Sequence, residues 1–204
     1  MESISRASLD QEIYLRGLTG YLVGKNLFDG YKKIAILAYP DRICSAISSA
    51  IVAGFLSLGN YKNESARVFL YEENRLGEII KEIIKFDPDA LFIAYGGEQK
   101  MSYVAEISKK TIEALMKNNY KKALVIHVRV WLATKQLSEI LSNKELKDYL
   151  KSLKELRVFT ADIQNKKFFF NRIKIEETAK LEKFKEENIT EEHAYLLKIS
   201  LPPQ

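Results

Sequence analysis

Short runs of continuous apolar residues alternate with longer segments of helical periodicity through the first 130 positions. A run that is apolar at successive positions is typical of a strand buried on both faces of a sheet. The segments between the runs repeat their apolar residues at three- and four-residue spacing, which is the spacing of an amphipathic helix. The pattern predicts strands over 33–39, 66–71, 90–95 and 123–130. It predicts helices over 8–27, 42–58, 75–86 and 99–118.

Strands that alternate with helices in this way form parallel sheets covered on two sides. We therefore expect an α/β fold with a Rossmann-like, mainly parallel sheet and helices on both faces. This core is expected over 31–155, after an N-terminal helix in 1–30. Helices over 134–141 and 143–155 close the core, separated by a capping box of Ser142 and Glu145.

The pattern changes after residue 155. Strands over 157–163 and 167–175 are expected to form a hairpin, followed by a charged helix and a last strand over 195–199. Residues 156–204 are therefore expected to form a C-terminal α+β extension. The helix over 43–58 is apolar all round, so either the sheet and this extension enclose it or it forms a dimer seam.

Composition narrows the class of protein. The chain has 204 residues, 47% of them hydrophobic and 29% charged, which is typical of a soluble globular protein. The net charge of +5 favours an anionic ligand. The single cysteine, Cys44, excludes an internal disulfide, and only two histidines accompany it, so we expect neither a metal site nor a cofactor.

Location is inferred from what the sequence lacks. The N-terminus has no secretory signal pattern, and the most apolar segment, 43–58, is shorter than the roughly 18–20 residues that span a bilayer. We expect a cytoplasmic protein without membrane contact. The abundance of Lys, Glu and Ile resembles the composition of heat-adapted, thermophile proteins.

Candidate chemistry lies in two loops at strand ends, where ligands bind in open parallel sheets. The first loop is 39–42, and the second is 96–102, which leads directly into a helix. Gly96 and Gly97 allow the backbone to approach a ligand closely, the helix N-terminus offers unpaired amides, and Lys100 adds a cation. This combination predicts a phosphate site, although a glycine turn with an exposed lysine has the same pattern. The loop matches neither a Walker A motif nor a dinucleotide-binding motif.

The segment from Asp89 to Ser102, DALFIAYGGEQKMS, resembles the signature of CARF domains, the CRISPR-associated Rossmann fold. The resemblance covers about residues 75–115, with a looser match in element order from 31 to 130. It implies a homodimer that binds a cyclic oligoadenylate in antiviral CRISPR type III defence, at the strand ends across its two-fold axis. It also implies a ring-nuclease activity without a metal, in which a ribose hydroxyl attacks its own phosphate.

Site residues follow from this resemblance and from the strand ends. Lys100 and Arg42 are the candidate catalytic residues, since either could stabilise developing negative charge. The candidate ligand-binding residues are Tyr39, Asp41, Gly96, Gly97, Gln99, Met101, Ser102 and Arg129. For Arg129, at the end of the fourth predicted strand, packing beneath the next helix is an equally good interpretation.

Other functions stay open. The hairpin over 157–175 interleaves basic and aromatic residues such as Lys167 and Phe169, so it could bind nucleic acid, or its aromatic face could simply pack inward. A protein that binds another phosphate ester is a third interpretation. A metal-dependent nuclease site of Asp89 and Glu98 is excluded, because one extended strand would separate them by roughly 30 Å. His127 is interpreted as a core side chain more readily than as a base.

Overall fold

A computed structural model describes residues 6–61 and 63–200, and in this part of the chain seven strands form one sheet. Their spatial order is β2-β1-β3-β4-β5-β6-β7. The strands are β1 (Ile34–Ala38), β2 (Ala66–Leu70), β3 (Ala90–Ala94), β4 (Ala123–Ile126), β5 (Leu156–Asp162), β6 (Lys167–Ile175) and β7 (Ala179–Asn188).

Eight α-helices connect or flank these strands within the described residues. They are α1 (Leu9–Asn26), α2 (Arg42–Leu56), α3 (Leu76–Phe86), α4 (Met101–Lys117), α5 (Val128–Ala133), α6 (Ser138–Leu141), α7 (Lys144–Ser152) and α8 (Glu191–Ile199). The N-terminal helix begins as the sequence predicts, because Ser8 and Gln11 form a complete capping box. None of the helices in the described ranges is long and apolar enough to cross a membrane.

The five strands from β2 to β5 pair in parallel, and β6 and β7 add two antiparallel strands at one edge. Every residue of β1, β3 and β4 is buried. Alternate side chains along β1 join two separate apolar clusters, one on each face of the sheet. The prediction of an α/β fold with a mainly parallel sheet covered by helices is therefore confirmed.

Helices α1 and α2 pack closely on one another because glycines lie at their contact. A Cβ atom added at Gly24 would lie 2.2 Å from the carbonyl oxygen of Ile51, and one added at Gly54 would lie 2.2 Å from that of Tyr21. Backbone therefore touches backbone at this crossing. Helix α1 covers one face of α2, whereas Ser45, Ser49 and Ala53 are exposed on another, so the prediction that α2 must be covered all round is wrong.

The fourth strand is shorter than predicted. It ends at Ile126, and His127 caps a new helix by accepting a hydrogen bond from the backbone amide of Arg129 at 3.0 Å. The apolar run continues past Ile126 because α5 is itself mostly buried, and a buried helix cannot be distinguished from a buried strand by hydrophobicity alone. Arg129 therefore lies in the first turn of a helix.

The predicted hairpin of β5 and β6 is confirmed, but the elements after it are interchanged. The segment expected to be a charged helix is β7, and the expected strand over 195–199 belongs to α8. Charged side chains on β7 pair with β6, as in Lys167 with Glu186, so a charged edge strand resembles a solvated helix in sequence. Helix α7 is capped by Asn143, one residue after the predicted Ser142.

Candidate functional site

The loop after β3, which carries the two glycines, is closed by side chains of the protein itself. The Gln99 side-chain oxygen accepts hydrogen bonds from the amides of Gly96 (3.1 Å) and Gly97 (3.2 Å). The Gln99 amide group in turn donates to Asp41, which also accepts from the backbone of Glu98. These amides are therefore not bare, contrary to the expectation from the sequence.

Close packing accounts for both glycines of this loop. Gly96 has a φ of +92°, and a Cβ atom there would lie 2.5 Å from the Cβ of Arg129. A Cβ atom at Gly97 would lie 2.5 Å from the Asp41 carboxylate. Asp41 also caps α2 through the amide of Cys44 at 2.6 Å. The glycine pair thus lets three loops meet at the carboxyl edge of the sheet.

The two predicted catalytic cations are exposed and do not converge. The Arg42 guanidinium forms a two-pronged ion pair with Glu98, at 2.9 and 2.8 Å. This partner raises the pKa of Arg42 and lowers that of Glu98. Lys100 is the exposed N-cap residue of α4, and its side chain makes no cap hydrogen bond.

The other predicted ligand-binding residues are divided between the two faces of the sheet. Tyr39 stacks on Tyr71, with ring centroids 5.8 Å apart, and Met101 packs against the same apolar cluster. Ser102 is exposed at the start of α4. Arg129 packs against Gly96 of the glycine loop. The structure therefore brings together only part of the predicted set, at the glycine loop, and the binding roles stay predictions.

Arg129 belongs to a buried charged cluster that joins three helices. Its Nη2 atom donates a 3.0 Å hydrogen bond to the Ser200 hydroxyl, which donates a 2.8 Å bond to the Glu12 carboxylate. The same Glu12 oxygen lies 3.3 Å from Nη2 of Arg16 and 3.9 Å from Nη2 of Arg129. Two buried guanidinium groups therefore share one carboxylate.

Arg16 is the least satisfied member of the cluster. It is 4% exposed, and its Nη2 atom has no hydrogen-bond partner among the residues described. Burial lowers the pKa of Arg16, against the attraction of Glu12. Burial also lowers the pKa of Arg129 to about 10, and the positive charge of Arg16 adds to that shift. The cluster is therefore electropositive and poorly solvated.

A cavity of about 290 Å³ opens beside this cluster, at the carboxyl ends of β4 and β5. We call it the arginine pocket, and define it by the residues Arg16, Thr19, His127, Val128, Arg129, Trp131, Leu132, Phe159, Thr160, Ala161, Ile163, Leu197 and Ser200. Phe159 and Trp131 are buried in its wall, whereas Leu132 and Ile163 are exposed at its rim. Arg129 also lines a neighbouring cavity of about 280 Å³, on the side of Glu12 and Gly97.

His127 contributes a hydrogen-bond donor to the arginine pocket. Its Nδ1 atom accepts from the Arg129 amide, so in the neutral ring the proton is on Nε2. Among the residues described, none forms a hydrogen bond with Nε2. Burial lowers the pKa of His127 well below its usual value, and Arg16 and Arg129 lower it further. The ring therefore remains neutral, and the interpretation of His127 as a core side chain holds for its packing between Phe92 and Phe159.

The hairpin of β5 and β6 uses its aromatic residues for packing. Phe168 and Phe170 are buried in the core, and Lys167 is paired with Glu186. Phe169 is half-buried beneath Lys183, 4.8 Å from its ring. This is the inward-packing alternative that the sequence left open.

Across residues 6–61 and 63–200, no group of three or more His, Cys, Asp or Glu side chains could hold a metal ion.

Sequence reasoning identified Arg129 and missed the residues around it. Glu12 and Arg16 carry one signal in the sequence, because an ion pair at four-residue spacing lies on a helical face that also carries Gly20 and Gly24. Charges on a glycine-bearing, closely packed face are unusual. Ser200, 188 residues from Glu12, carries no such signal.

Comparison with known proteins identifies a family and a fold. A family model described as "Uncharacterized protein" matches residues 12–196. A protein of Aquifex aeolicus (strain VF5), also described as "Uncharacterized protein", is 25% identical over 139 residues. That match covers 68% of this chain and 60% of the relative, so the chain spans less than two thirds of the relative's length.

One solved structure of a solute-binding protein is similar in fold, and a second is a weaker match. An ABC-transporter solute-binding protein from R. palustris, in complex with 4-hydroxybenzoate, matches with a TM-score of 0.53 at 10% identity, over 88% of this chain and 66% of that one. A leucine-binding protein from Thermotoga maritima MSB8 matches with a TM-score of 0.45 at 12% identity, over 76% of this chain and 39% of that one.

These matches correct the resemblance to CARF domains, which is wrong. The matching family model is not a CARF model, and the fold is that of solute-binding proteins. The prediction of a cyclic oligoadenylate sensor or ring nuclease in antiviral defence is wrong with it. The physical reason lies in the glycine loop, because Gly96 and Gly97 serve the packing of Arg129 and Asp41 in a strand-to-helix junction that many α/β proteins share.

Proposed function

The chain belongs to the family whose model matches residues 12–196, and we propose that it binds a small organic anion in the arginine pocket. The observation that carries this proposal is the buried Arg16 guanidinium, whose Nη2 atom forms an ion pair with Glu12 at 3.3 Å but makes no hydrogen bond among the residues described. A buried cation with an unused donor is costly. An anionic ligand would supply the missing acceptor.

The composition of the pocket supports a ligand with one polar end and an apolar body. Arg16, Arg129 and the His127 Nε2–H group offer donors at its inner end, and Phe159, Trp131 and Leu132 form apolar walls. Binding pockets for small molecules commonly combine apolar walls with a few directed polar groups. The position beyond the carboxyl ends of parallel strands is where ligands bind in open α/β sheets.

A carboxylate on an aromatic ring is the chemistry we propose for the ligand. A carboxylate accepts from guanidinium groups in a planar, two-pronged geometry, and an aromatic ring packs well against Phe159 and Trp131. The R. palustris protein of similar fold was solved with 4-hydroxybenzoate, a molecule of this class. The proposal concerns binding alone, because the chain spans only 66% of that protein.

Isothermal titration with benzoate, 4-hydroxybenzoate and the neutral isostere benzamide tests the proposal. We expect both carboxylates to bind more tightly than benzamide, and Arg16→Gln to weaken carboxylate binding by about tenfold or more, the usual scale for a charge-assisted hydrogen bond. Arg75→Gln is the matched control, because Arg75 is exposed and pairs with Glu72 and Glu78 away from the pocket. The proposal would be overturned if the wild-type protein bound neither benzoate nor 4-hydroxybenzoate. It would also be overturned if the Arg16→Gln protein bound these carboxylates as tightly as the wild-type protein does.

A further inference from the structure

We infer that Glu12 determines the charge of the ligand that the arginine pocket accepts, so that the pocket selects a monoanion over a dianion. This inference rests on the proposed function. It assigns Glu12 the role of a specificity-determining residue, acting as a fixed internal counter-ion between the two arginines.

The geometry makes one oxygen of Glu12 the shared acceptor of the cluster. That oxygen accepts from Ser200 at 2.8 Å and lies 3.3 Å from Arg16 and 3.9 Å from Arg129. Glu12 is itself only 7% exposed. A ligand carboxylate that binds the guanidinium groups therefore meets arginines that one protein carboxylate already half neutralises.

The charge count gives the pocket room for one negative charge. Arg16 and Arg129 contribute two positive charges, and Arg6, whose charge acts on Arg129, contributes a third. Glu12 contributes one negative charge and Asp41, whose charge acts on Arg16, a second, which leaves a net charge of +1. The other titratable side chain in the described lining is His127, which is neutral. One carboxylate balances the cluster, whereas a dianion would leave an uncompensated negative charge in a poorly solvated cavity, which is strongly unfavourable.

The same count disfavours a zwitterionic ligand. The two guanidinium groups repel an ammonium group, and the described lining offers it no carboxylate, only the hydroxyls of Thr19, Thr160 and Ser200. The Nη2 group of Arg16 and the Nε2–H group of His127 are donors, so they require acceptors at the polar end of the ligand. The chemical class is therefore a monocarboxylate without an amino group.

Titration of benzoate, phthalate and leucine into the folded wild-type and Glu12→Gln proteins tests this inference. Phthalate carries two adjacent carboxylates, which can reach both arginines. We expect the wild-type protein to prefer benzoate to both other probes. Removing the charge of Glu12 raises the pocket charge to +2, so the ratio of phthalate to benzoate affinity should increase about tenfold, while leucine remains weak.

The double variant Glu12→Gln/Arg16→Gln is the matched control for charge, because it restores a net charge of +1. It should return the preference to benzoate, at lower overall affinity. If the single variant does not fold, as judged by circular dichroism, Arg129→Gln replaces it: with a net charge of zero, that protein should lose its preference for benzoate over benzamide.

Failure of this inference differs from failure of the proposed function. A Glu12→Gln protein that binds benzoate and retains the wild-type ratio of phthalate to benzoate affinity would overturn the role of Glu12 and leave carboxylate binding intact. A wild-type protein that binds none of the carboxylates would overturn both. Both affinities in each ratio are measured on the same variant. A loss of protein stability that weakens the binding of all probes equally therefore cancels in the ratio.

Discussion

Two buried histidines on the α1 side of the sheet hold neutral rings in the folded protein. His127 accepts a hydrogen bond from the Arg129 amide, and the Nε2 atom of His193 lies 2.9 Å from the Thr19 hydroxyl. Burial is the main cause that lowers the pKa of each ring. Protonation of either residue would therefore place a charge in a site that cannot solvate it.

His193 gives a pH dependence whose direction follows from its pKa, which burial lowers from 6.5 to about 4. In the unfolded chain the ring takes up a proton below pH 6.5, whereas in the folded protein it stays neutral until about pH 4. Stability is therefore fully present above pH 6.5 and is lost as the pH falls from 6.5 to 4. The loss amounts to about 3 kcal/mol.

Urea unfolding of the wild-type and His193→Gln proteins at pH 7 and pH 4.5 measures this loss. We expect a smaller decrease in the free energy of unfolding for the variant, because glutamine keeps a polar partner for Thr19 and does not titrate. Lys198→Gln, on the same helix, should retain the wild-type decrease. Equal decreases in the wild-type and His193→Gln proteins would contradict the assignment to His193.

At the scale of elements, the contact of α1 with α2 depends on glycines that other residues cannot replace. A Cβ atom at Gly24 would lie 2.2 Å from the Ile51 carbonyl oxygen and 2.8 Å from the Phe55 nitrogen, and both are backbone atoms. Neither can move without separating the helices. We expect Gly24→Ala to lower the free energy of unfolding by about 2 kcal/mol or more, as overpacking commonly does.

Gly17 provides the matched control on the same helix. A Cβ atom there would meet nothing within 4 Å, so Gly17→Ala should raise the free energy of unfolding by up to about 1 kcal/mol, through helix propensity. Thermal denaturation followed by circular dichroism measures both variants. If both substitutions raised the free energy of unfolding, helix propensity and not close packing would determine the outcome at Gly24.

Elements with an unambiguous pattern could be predicted from the sequence. The strands β1, β3 and β6 and the capped start of α1 follow from local runs of residues and from one capping box. The end of β4 could not be predicted, because β4 and α5 are both buried and so equally apolar. The strand β7 could not be predicted either, because its charged residues are mostly exposed, as on a solvated helix, and its pairing with β6 is not visible in the local sequence.

The candidate site was less predictable than the fold. Arg129 could be identified because it follows a strand end, the position where ligands bind. Arg16 and Glu12 lie in the first helix and reach that strand end only through tertiary packing, across more than 110 residues of chain. The glycine loop misled the prediction because its amides are satisfied by Gln99, a side chain that the sequence analysis assigned to the ligand instead.

At the scale of the whole molecule, one sheet joins the parallel core to the C-terminal strands. β5 pairs in parallel with β4 and antiparallel with β6, so hydrogen bonding is continuous across the boundary expected at residue 155. The aromatic residues Phe159, Phe168 and Phe170 belong to the same apolar cluster as β1 and β3. These contacts all lie within one chain, so the homodimer stays a prediction. The cytoplasmic location stays a prediction as well.

This continuity leads us to expect that the described chain unfolds as one cooperative unit. Trp131, the single tryptophan, is buried in α5 beside the start of the C-terminal part, so its fluorescence reports on that neighbourhood, whereas circular dichroism reports on all elements. Phe170→Ala removes a fully buried ring from the C-terminal part and should destabilise the protein by about 3–5 kcal/mol. Because the sheet and its apolar cluster are shared, both signals should move to lower urea concentration together.

Leu181→Ala, at an exposed position of β7, should leave both nearly unchanged. A shift of the circular dichroism transition without a shift of the Trp131 transition would mean that residues 156–200 fold as an independent unit.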